Sequence, residues 1–400
     1  MSRILNIRYL ALVILLALTA LMYHPIFSNV VTMDEESNPL RPLVVGLTIV
    51  TTILYFDFSF WTNSNFIKKF LIYLLVIELL GFALSQMNIT DWYSVDANNI
   101  LLTFLFLLIG YGLGARSTNK QLVGLVLVYS FFVALSVYFQ LMQHAGGFII
   151  TDRYIGFGKN TMGVMCASSC IALLVLALTT TNKAIRIISW ILYFFIFILD
   201  ISIRARASYL VIFIVSLIGV FRFLKGKITF NFIFLIIFGV FAIIALFLFI
   251  PGVFGSIGVY IWDSFTQHQD MDDLSSGRSG LNEFALNIIG ESPFWGNMQL
   301  KNDYYGLRVH NYLLRVLSSY GIIGALPIYL LYFSIIIFVI KKIIKSQYNI
   351  QFLGYFVSIV PLIISFAEPT FPYSPGTGVI FSFVFLGYSV RKSEYERLSW

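Results

Sequence analysis

Residues 308–340, RVHNYLLRVLSSYGIIGALPIYLLYFSIIIFVI, hold the pattern that decides the fold. Two arginines and a histidine stand near the start, and a nearly unbroken apolar run follows. The apolar part, 312–340, is longer than the ~20 residues that cross a bilayer as one helix. We therefore expect this run to begin with an interfacial or tilted turn before it crosses the membrane.

The rest of the chain repeats such apolar runs. Of the 400 residues, 59% are hydrophobic and only 11% are charged, whereas soluble domains carry about 25% charged residues. The runs are continuous, unlike the alternating strands of a barrel, and predict an all-α polytopic membrane protein with about 12 transmembrane helices. They cover 4–23, 40–58, 66–86, 98–115, 121–142, 161–181, 184–203, 207–224, 230–250, 312–340, 350–367 and 376–390.

This pattern predicts one membrane domain, 1–400, with a large exterior loop, 251–310, between the ninth and tenth spans. Basic residues set the orientation. With the N-terminus in the cytoplasm, 17 of the 26 Lys and Arg residues fall inside and nine outside, as the positive-inside rule requires. Both termini are then cytoplasmic.

The nine exterior basic residues are the exception to that rule. Seven of them are arginines, and a guanidinium group is a planar fork suited to phosphate oxygens. A charge near the membrane boundary is costly unless it is used. Arginines from four separated exterior segments therefore predict an anion site at this face. The nine exterior basic residues are Arg41, Arg153, Lys159, Arg204, Arg206, Arg278, Lys301, Arg308 and Arg315.

Arg278, in SSGRSG, opens a short amphipathic helix predicted over 278–290. The apolar face of that helix carries Leu281, Phe284, Ala285 and Ile288. An arginine at a helix N-terminus adds its charge to the free backbone donors there, and this combination binds anions. A solvated surface arginine is the alternative reading. The following ESPFWGN predicts a turn.

Two further arginine segments flank predicted spans. In DISIRARASYL, Arg204 can pair with Asp200 four residues earlier, so we favour Arg206 as the residue that faces a ligand. In TDRYIGFGKN, Arg153 precedes Asn160, and the glycines between them allow a close approach of the backbone to a ligand. A boundary arginine and an ordinary tight turn are the alternatives at these two places.

His310 stands where the exterior loop re-enters an apolar run. A neutral imidazole can take a proton from a sugar hydroxyl, although an interfacial structural histidine is the alternative. Asn311 can orient a polar ligand or cap the helix. If the helix starts early, Arg308, Asn311 and Arg315 share one face, and nearby positive charge favours a neutral imidazole.

Metal chemistry is not predicted. The acidic set Asp270, Asp272 and Asp273 lacks the glycine and the final glutamate of a calcium loop. Cys166 and Cys170 lie one turn apart in an apolar run and are predicted to be packing residues. We therefore expect no cofactor and no metal ion.

Several of these motifs together resemble the O-antigen ligase/polymerase family of bacterial membrane glycosyltransferases. They are the loop sequence SGR, then PFWG, then HNYLLRVLSSYGIIG, with RYIGFGKN and RARASYLV before them. The resemblance implies transfer of a glycan from undecaprenyl pyrophosphate to an acceptor hydroxyl at the outer face of the bacterial cytoplasmic membrane. It implies catalytic roles for Arg278 and His310, and pyrophosphate binding by Arg206 and Arg153.

We expect Arg308 and Arg315 to bind pyrophosphate too, with Asn311, Asn160 and Arg204 as supporting residues. The expected function is polymerisation of a surface polysaccharide of O-antigen or capsule type. A ligase with a different acceptor and a transporter of lipid-linked oligosaccharide are the alternatives. The expected partners are the lipid-linked donor, the glycan acceptor and the bilayer, with a flippase and a chain-length regulator, and no nucleic acid.

Overall fold

The computed structural model describes residues 2–27, 38–86, 91–145, 159–203, 205–223, 278–297, 309, 311–345, 349–367 and 377–398. Within these ranges the regular elements are all helical. The helices are α1 (Ser2–Leu21), α2 (Leu40–Tyr55), α3 (Phe60–Asn63), α4 (Asn65–Gln86), α5 (Asp91–Arg116), α6 (Asn119–Ala145), α7 (Lys159–Thr179), α8 (Lys183–Ser202), α9 (Arg206–Phe223), α10 (Arg278–Glu291), α11 (Tyr312–Lys345), a 3₁₀ turn (Ile350–Phe352), α12 (Leu353–Ile364) and α13 (Thr377–Leu398).

Five of the described helices are long and apolar enough to cross a membrane, namely α5, α6, α7, α8 and α11. Shorter apolar helices lie in α1, α2, α9 and α12. These helices are consistent with an α-helical membrane protein, as the composition predicts. The expected span 230–250 and most of the expected loop 251–310 lie outside the described residues, so the count of about 12 stays a prediction.

Glycines allow close packing between α5 and α13. A Cβ atom at Gly110 would lie 1.8 Å from the carbonyl oxygen of Val384, and one at Gly387 would lie 2.1 Å from that of Leu107. Small residues let backbones approach in this way, and helices in lipid use them because packing, rather than water exclusion, holds them together.

Long-range contacts join helix ends that the charge pattern assigns to the same face. At the predicted exterior face, Gln140 donates to the Tyr23 carbonyl at 2.6 Å. At the predicted cytoplasmic face, Lys342 donates to Ser393 Oγ at 3.0 Å, and Arg391 pairs with Asp57. The alternation of spans is therefore consistent with the contacts between the described helices.

Gly321 divides α11 into two helical segments. Its φ of 59° and ψ of −172° are not helical, and a positive φ favours glycine. We call residues 312–320 α11a and residues 322–345 α11b. The Tyr329 hydroxyl on α11b donates to the Leu313 carbonyl on α11a. In one straight helix these residues would lie ~24 Å apart, so α11a must fold back beside α11b.

A second contact shows the same reversal. The rings of Tyr312 and Tyr332 lie 6.3 Å apart, although 20 residues separate them in the chain. We expected the 312–340 run to open with an interfacial or tilted turn. It opens instead with a helical segment, α11a, that runs back along α11b. The physical reason is the break at Gly321, which the apolar pattern does not reveal.

The turn 293–297 fills the break. The Ile322 amide donates to the Pro293 carbonyl at 2.8 Å, and the Ile323 amide donates to the Phe294 carbonyl at 3.2 Å. In return, the Asn297 amide donates to the Ser318 carbonyl at 2.9 Å. The break removes the helical partners of the Ile322 and Ile323 amides and of the Ser318 carbonyl, and the turn supplies new ones. Buried helix ends need such partners for their backbone groups.

The segment before that turn confirms the predicted loop helix. α10 begins at Arg278, and its buried face carries Leu281, Ala285 and Ile288, with Phe284 partly buried. The predicted turn in ESPFWGN is also confirmed at 293–295. Cys166 and Cys170 are free and buried, as their apolar surroundings predict.

Candidate functional site

The N-terminal end of α11a is the best-defined part of the predicted site. Asn311 caps this helix, because its Oδ1 accepts from the Leu314 amide at 3.1 Å. The Tyr312 amide donates to the Ser365 carbonyl at 3.0 Å. The reversal at Gly321 carries this end about 15 Å along the bundle from the break, at ~1.5 Å per residue. A partial positive charge accompanies a helix N-terminus.

Arg315 lies one turn into α11a and is held by Asp96 of α5. Its Nη2 donates to both Asp96 oxygens, at 3.0 and 3.1 Å. The side chains are 15% and 9% exposed, so water screens the pair little. The Tyr312 ring lies 5.3 Å from the guanidinium carbon.

Two tyrosines complete the surroundings of Asp96. The Tyr320 hydroxyl donates to Asp96 Oδ2 at 2.5 Å. The Tyr93 ring meets the Tyr320 ring edge-on at 4.9 Å, and the Tyr93 hydroxyl donates to the Gly324 carbonyl at 3.2 Å. The buried carboxylate of Asp96 therefore has both a balancing positive charge and hydrogen-bond donors, as a buried charge requires. This network fixes α11a and the Gly321 break against α5.

Asp96 is a residue of this network that the sequence analysis does not single out. One signal was present: an aspartate two residues before an apolar run is costly near a membrane unless it has a partner. Arg315 is the matching charge in another predicted span. The sequence does not show that these two spans are neighbours.

The structure describes the other predicted site residues only in part. Arg206 is the first residue of α9, Arg278 is the first residue of α10, and their side chains lie outside the described part. Asn160, in the first turn of α7, is partly buried. The remaining four lie outside the described residues: Arg153, Arg204, Arg308 and His310.

One condition of the predicted site is not met. Arg308 was expected to share a helical face with Arg315 if the helix started early enough. The helix begins at Tyr312, and Val309 is not helical. The cap at Asn311 is the physical reason, because an N-cap residue has left the helical conformation.

Asp200 has a described partner at the junction of α8 and α9. It is fully buried and accepts from Ser208 Oγ at 2.7 and 2.9 Å. The predicted pairing of Asp200 with Arg204 lies outside the described residues. The hydroxyl bond places Asp200 beside the first turn of α9, which begins at Arg206.

Within the described ranges, no three His, Cys, Asp or Glu side chains are grouped as metal ligands would be. At the described end of α11a, the charge of Arg315 is balanced by Asp96, and the Tyr312 and Leu314 amides already donate within the protein. In comparisons with known proteins, no family model and no curated protein matches this chain.

Proposed function

We propose that this protein is a membrane glycosyltransferase of the O-antigen ligase/polymerase type. It would polymerise a surface polysaccharide by transferring a glycan from undecaprenyl pyrophosphate to an acceptor sugar hydroxyl. The observation that carries the proposal is the folded-back α11a. Its N-terminal end, directly after His310, presents the Asn311 cap, and Arg315 lies one turn further along.

The contacts of α10 add support. The turn 293–297 leads from this helix, which begins at Arg278, onto the break at Gly321. Helix α10, which begins at Arg278, and helix α11a, which follows His310, therefore belong to one packed unit. Such packing is what a site needs to hold charged groups in fixed positions for catalysis.

The proposed reaction balances without a metal ion. The acceptor hydroxyl oxygen attacks the anomeric carbon of the donor, and the bond from that carbon to the pyrophosphate oxygen breaks. His310 takes the hydroxyl proton as general base. Arg278, Arg206 and Arg153 stabilise the negative charge that develops on the departing undecaprenyl pyrophosphate. Arg308 adds positive charge beside them, whereas the charge of Arg315 is balanced by Asp96.

Purified protein incubated with lipid-linked glycan tests the proposal. A polymerase consumes the donor and makes longer lipid-linked chains without any other acceptor. A ligase consumes the donor only when a different acceptor is added, so this assay separates the two enzymes. Unchanged donor under both conditions would contradict enzymatic function and favour the transporter alternative. In cells from which the gene for this protein is deleted, loss of a polymerase should leave surface glycans of a single repeat unit.

A further inference from the structure

A cleft lies where the ends of four helices meet, away from the proposed site. Its lining residues come from α1, from the end of α2, from the end of α5 and from the start of α6. The cleft is shallow: its enclosed part measures about 10 Å³, roughly enough for one water molecule, and the figure reaches about 240 Å³ only when the part open to solvent is included. Arg8, Tyr55, Arg116, Ser117 and Gln121 line it. The charge pattern of the sequence assigns these helix ends to the cytoplasmic face.

Arg8 supplies a positive charge that the described protein does not neutralise. It makes no hydrogen bond or ion pair with the described part of the chain, and its Nε is buried there without a partner. A buried donor without a partner is unfavourable. A ligand that accepts a hydrogen bond from Arg8 would remove this cost.

Arg116 is a second cation, fixed in place by the end of α2. Its Nη1 donates to the Leu54 carbonyl at 3.1 Å, and its Nη2 donates to the Phe56 carbonyl at 3.2 Å. The nearby carboxylate of Asp57 pairs with Arg391 at 3.4 Å and also lies close enough to Arg116 to offset part of its charge. Two guanidinium groups therefore line one cleft, and like charges repel strongly where water is limited.

Neutral donors complete the lining. Tyr55 is only 3% exposed, and its hydroxyl lies close enough to Arg8 and Arg116 to feel the charge of each. Ser117 Oγ is buried without a partner in the described part of the chain. Gln121 Oε1 accepts from the Thr118 amide at 3.0 Å, so the Gln121 amide nitrogen remains a donor. The cleft thus combines two cations with hydroxyl and amide donors.

We infer that the solvent-open side of this cleft binds a phosphate group at the predicted cytoplasmic face. A phosphate accepts several hydrogen bonds at once and matches the fork of an arginine. The phosphodiester of an anionic phospholipid and free inorganic phosphate share this chemistry. The inference rests on the cleft alone and is independent of the proposed glycosyl transfer.

Native mass spectrometry of the full-length protein in detergent tests the site. Phosphatidylglycerol, phosphatidylcholine and inorganic phosphate are added separately to delipidated wild type, Arg8→Gln, Arg8→Lys and Tyr55→Phe. Lys69→Gln is the control, because Lys69 is an exposed cation predicted for the same face, outside the cleft. We expect wild type and the control to retain phosphatidylglycerol several-fold over phosphatidylcholine, and Arg8→Gln to lose that preference.

The arms distinguish the two sources of phosphate. Retention of phosphatidylglycerol that millimolar inorganic phosphate does not displace assigns the cleft to lipid, and displacement assigns it to phosphate in general. Partial retention by Arg8→Lys and Tyr55→Phe supports a site built from several donors. Equal lipid retention by wild type and Arg8→Gln, or no preference in wild type, overturns the inference.

Discussion

Nη2 of Arg315 lies 3.0 Å from one oxygen of Asp96 and 3.1 Å from the other, although 219 positions separate these residues in the chain. The pair joins α5 to α11a next to the break at Gly321. Because Tyr320 also donates to Asp96, a single carboxylate holds two residues of the reversed segment. We infer that Asp96 positions α11a, and with it the helix end that follows His310.

The first prediction concerns this pair. Asp96→Ala and Arg315→Ala should each destabilise the protein, since removal of one partner from a buried ion pair costs roughly 3–5 kcal/mol. The double variant should lose less than the sum, because no buried charge is then left alone. Thermal unfolding of the four proteins in detergent measures this coupling. Additive losses would contradict the buried pair.

Sequence and structure agree where periodicity and charge carry the information. The apolar runs predict the helices, and SSGRSG followed by an apolar face predicts α10 from its first residue. Asn311 was expected as a cap or a ligand, and it caps α11a. These features depend on neighbours within a few turns, which is the range that a pattern can report.

The reversal of α11 could not be predicted in the same way. The apolar run continues through Gly321, and a glycine inside a span ordinarily reports close packing. The break is stabilised by the turn 293–297 and by Asp96, which are distant in the chain. Long-range contacts of this kind leave no local periodicity, so the sequence does not reveal that Asp96 is the partner of Arg315.

The second prediction tests the reversal itself. With Cys166 and Cys170 replaced by alanine, Tyr312→Cys and Tyr332→Cys should be joined by a short bismaleimide, because the two native rings lie 6.3 Å apart. In a straight helix the positions would be ~30 Å apart. Ile323→Cys with Ile340→Cys, both on α11b, is the control pair and should not react. Peptide mapping after proteolysis detects the bridge.

The third prediction concerns the glycine at the break. A Cβ atom at Gly321 would lie 2.3 Å from the Phe294 carbonyl carbon and oxygen, and its positive φ disfavours other residues. Gly321→Ala should therefore cost at least ~1–3 kcal/mol in strain. Gly290→Ala in α10 is the matched control, because its added Cβ would meet no described atom within 4 Å beyond its own helix backbone and chain neighbours. Comparable melting temperatures of the two variants would argue against the break.

The fourth prediction uses two carboxylates that lie near Arg391. Burial opposes ionisation of Asp57, but hydrogen bonds from Ser59 and the charges of Arg391 and Arg116 outweigh it and lower the pKa of Asp57. Glu394 lies in the polar end of α13, beyond its apolar run. Burial raises the pKa of Glu394, against hydrogen bonds from Ser64 and Tyr111.

The signs of these two contributions are opposite. A lowered pKa stabilises the fold above the ordinary value, and this contribution is lost as the pH falls through the folded-state pKa. A raised pKa does the reverse, and its contribution is lost as the pH rises. At pH 7, Asp57→Asn should lower the melting temperature, whereas Glu394→Gln should preserve or raise it. The Glu394→Gln difference should shrink as the pH falls toward the ordinary glutamate value of 4.5, whereas the Asp57→Asn difference should shrink only below the ordinary aspartate value of 3.8.

Thermal unfolding of wild type, Asp57→Asn and Glu394→Gln between pH 3 and pH 8 measures this contrast. The two variants serve as controls for each other, because each removes one negative charge from the same cluster. Equal losses at pH 7 would show that only net charge matters there, and would remove the basis for the opposite directions.

The last prediction concerns the proposed chemistry. His310→Gln should abolish glycan transfer by the purified protein while the lipid-linked donor still binds, because glutamine keeps a polar side chain but cannot act as a general base. His144→Gln, a second histidine assigned to the exterior face, is the control and should keep wild-type turnover. Wild-type turnover should also fall on acidification as one group titrates, at or below the free histidine value of about 6.5.

Arg278→Lys and Arg206→Lys separate charge from geometry in the same assay. Lysine keeps the charge but loses the planar fork, so both variants should lose turnover by about 10²–10³-fold, the cost of removing one transition-state donor. Arg41→Lys, an exposed exterior arginine, is the control and should change little. If His310→Gln lost donor binding in proportion to turnover, His310 would be a binding residue, and the base would have to be another group near the end of α11a.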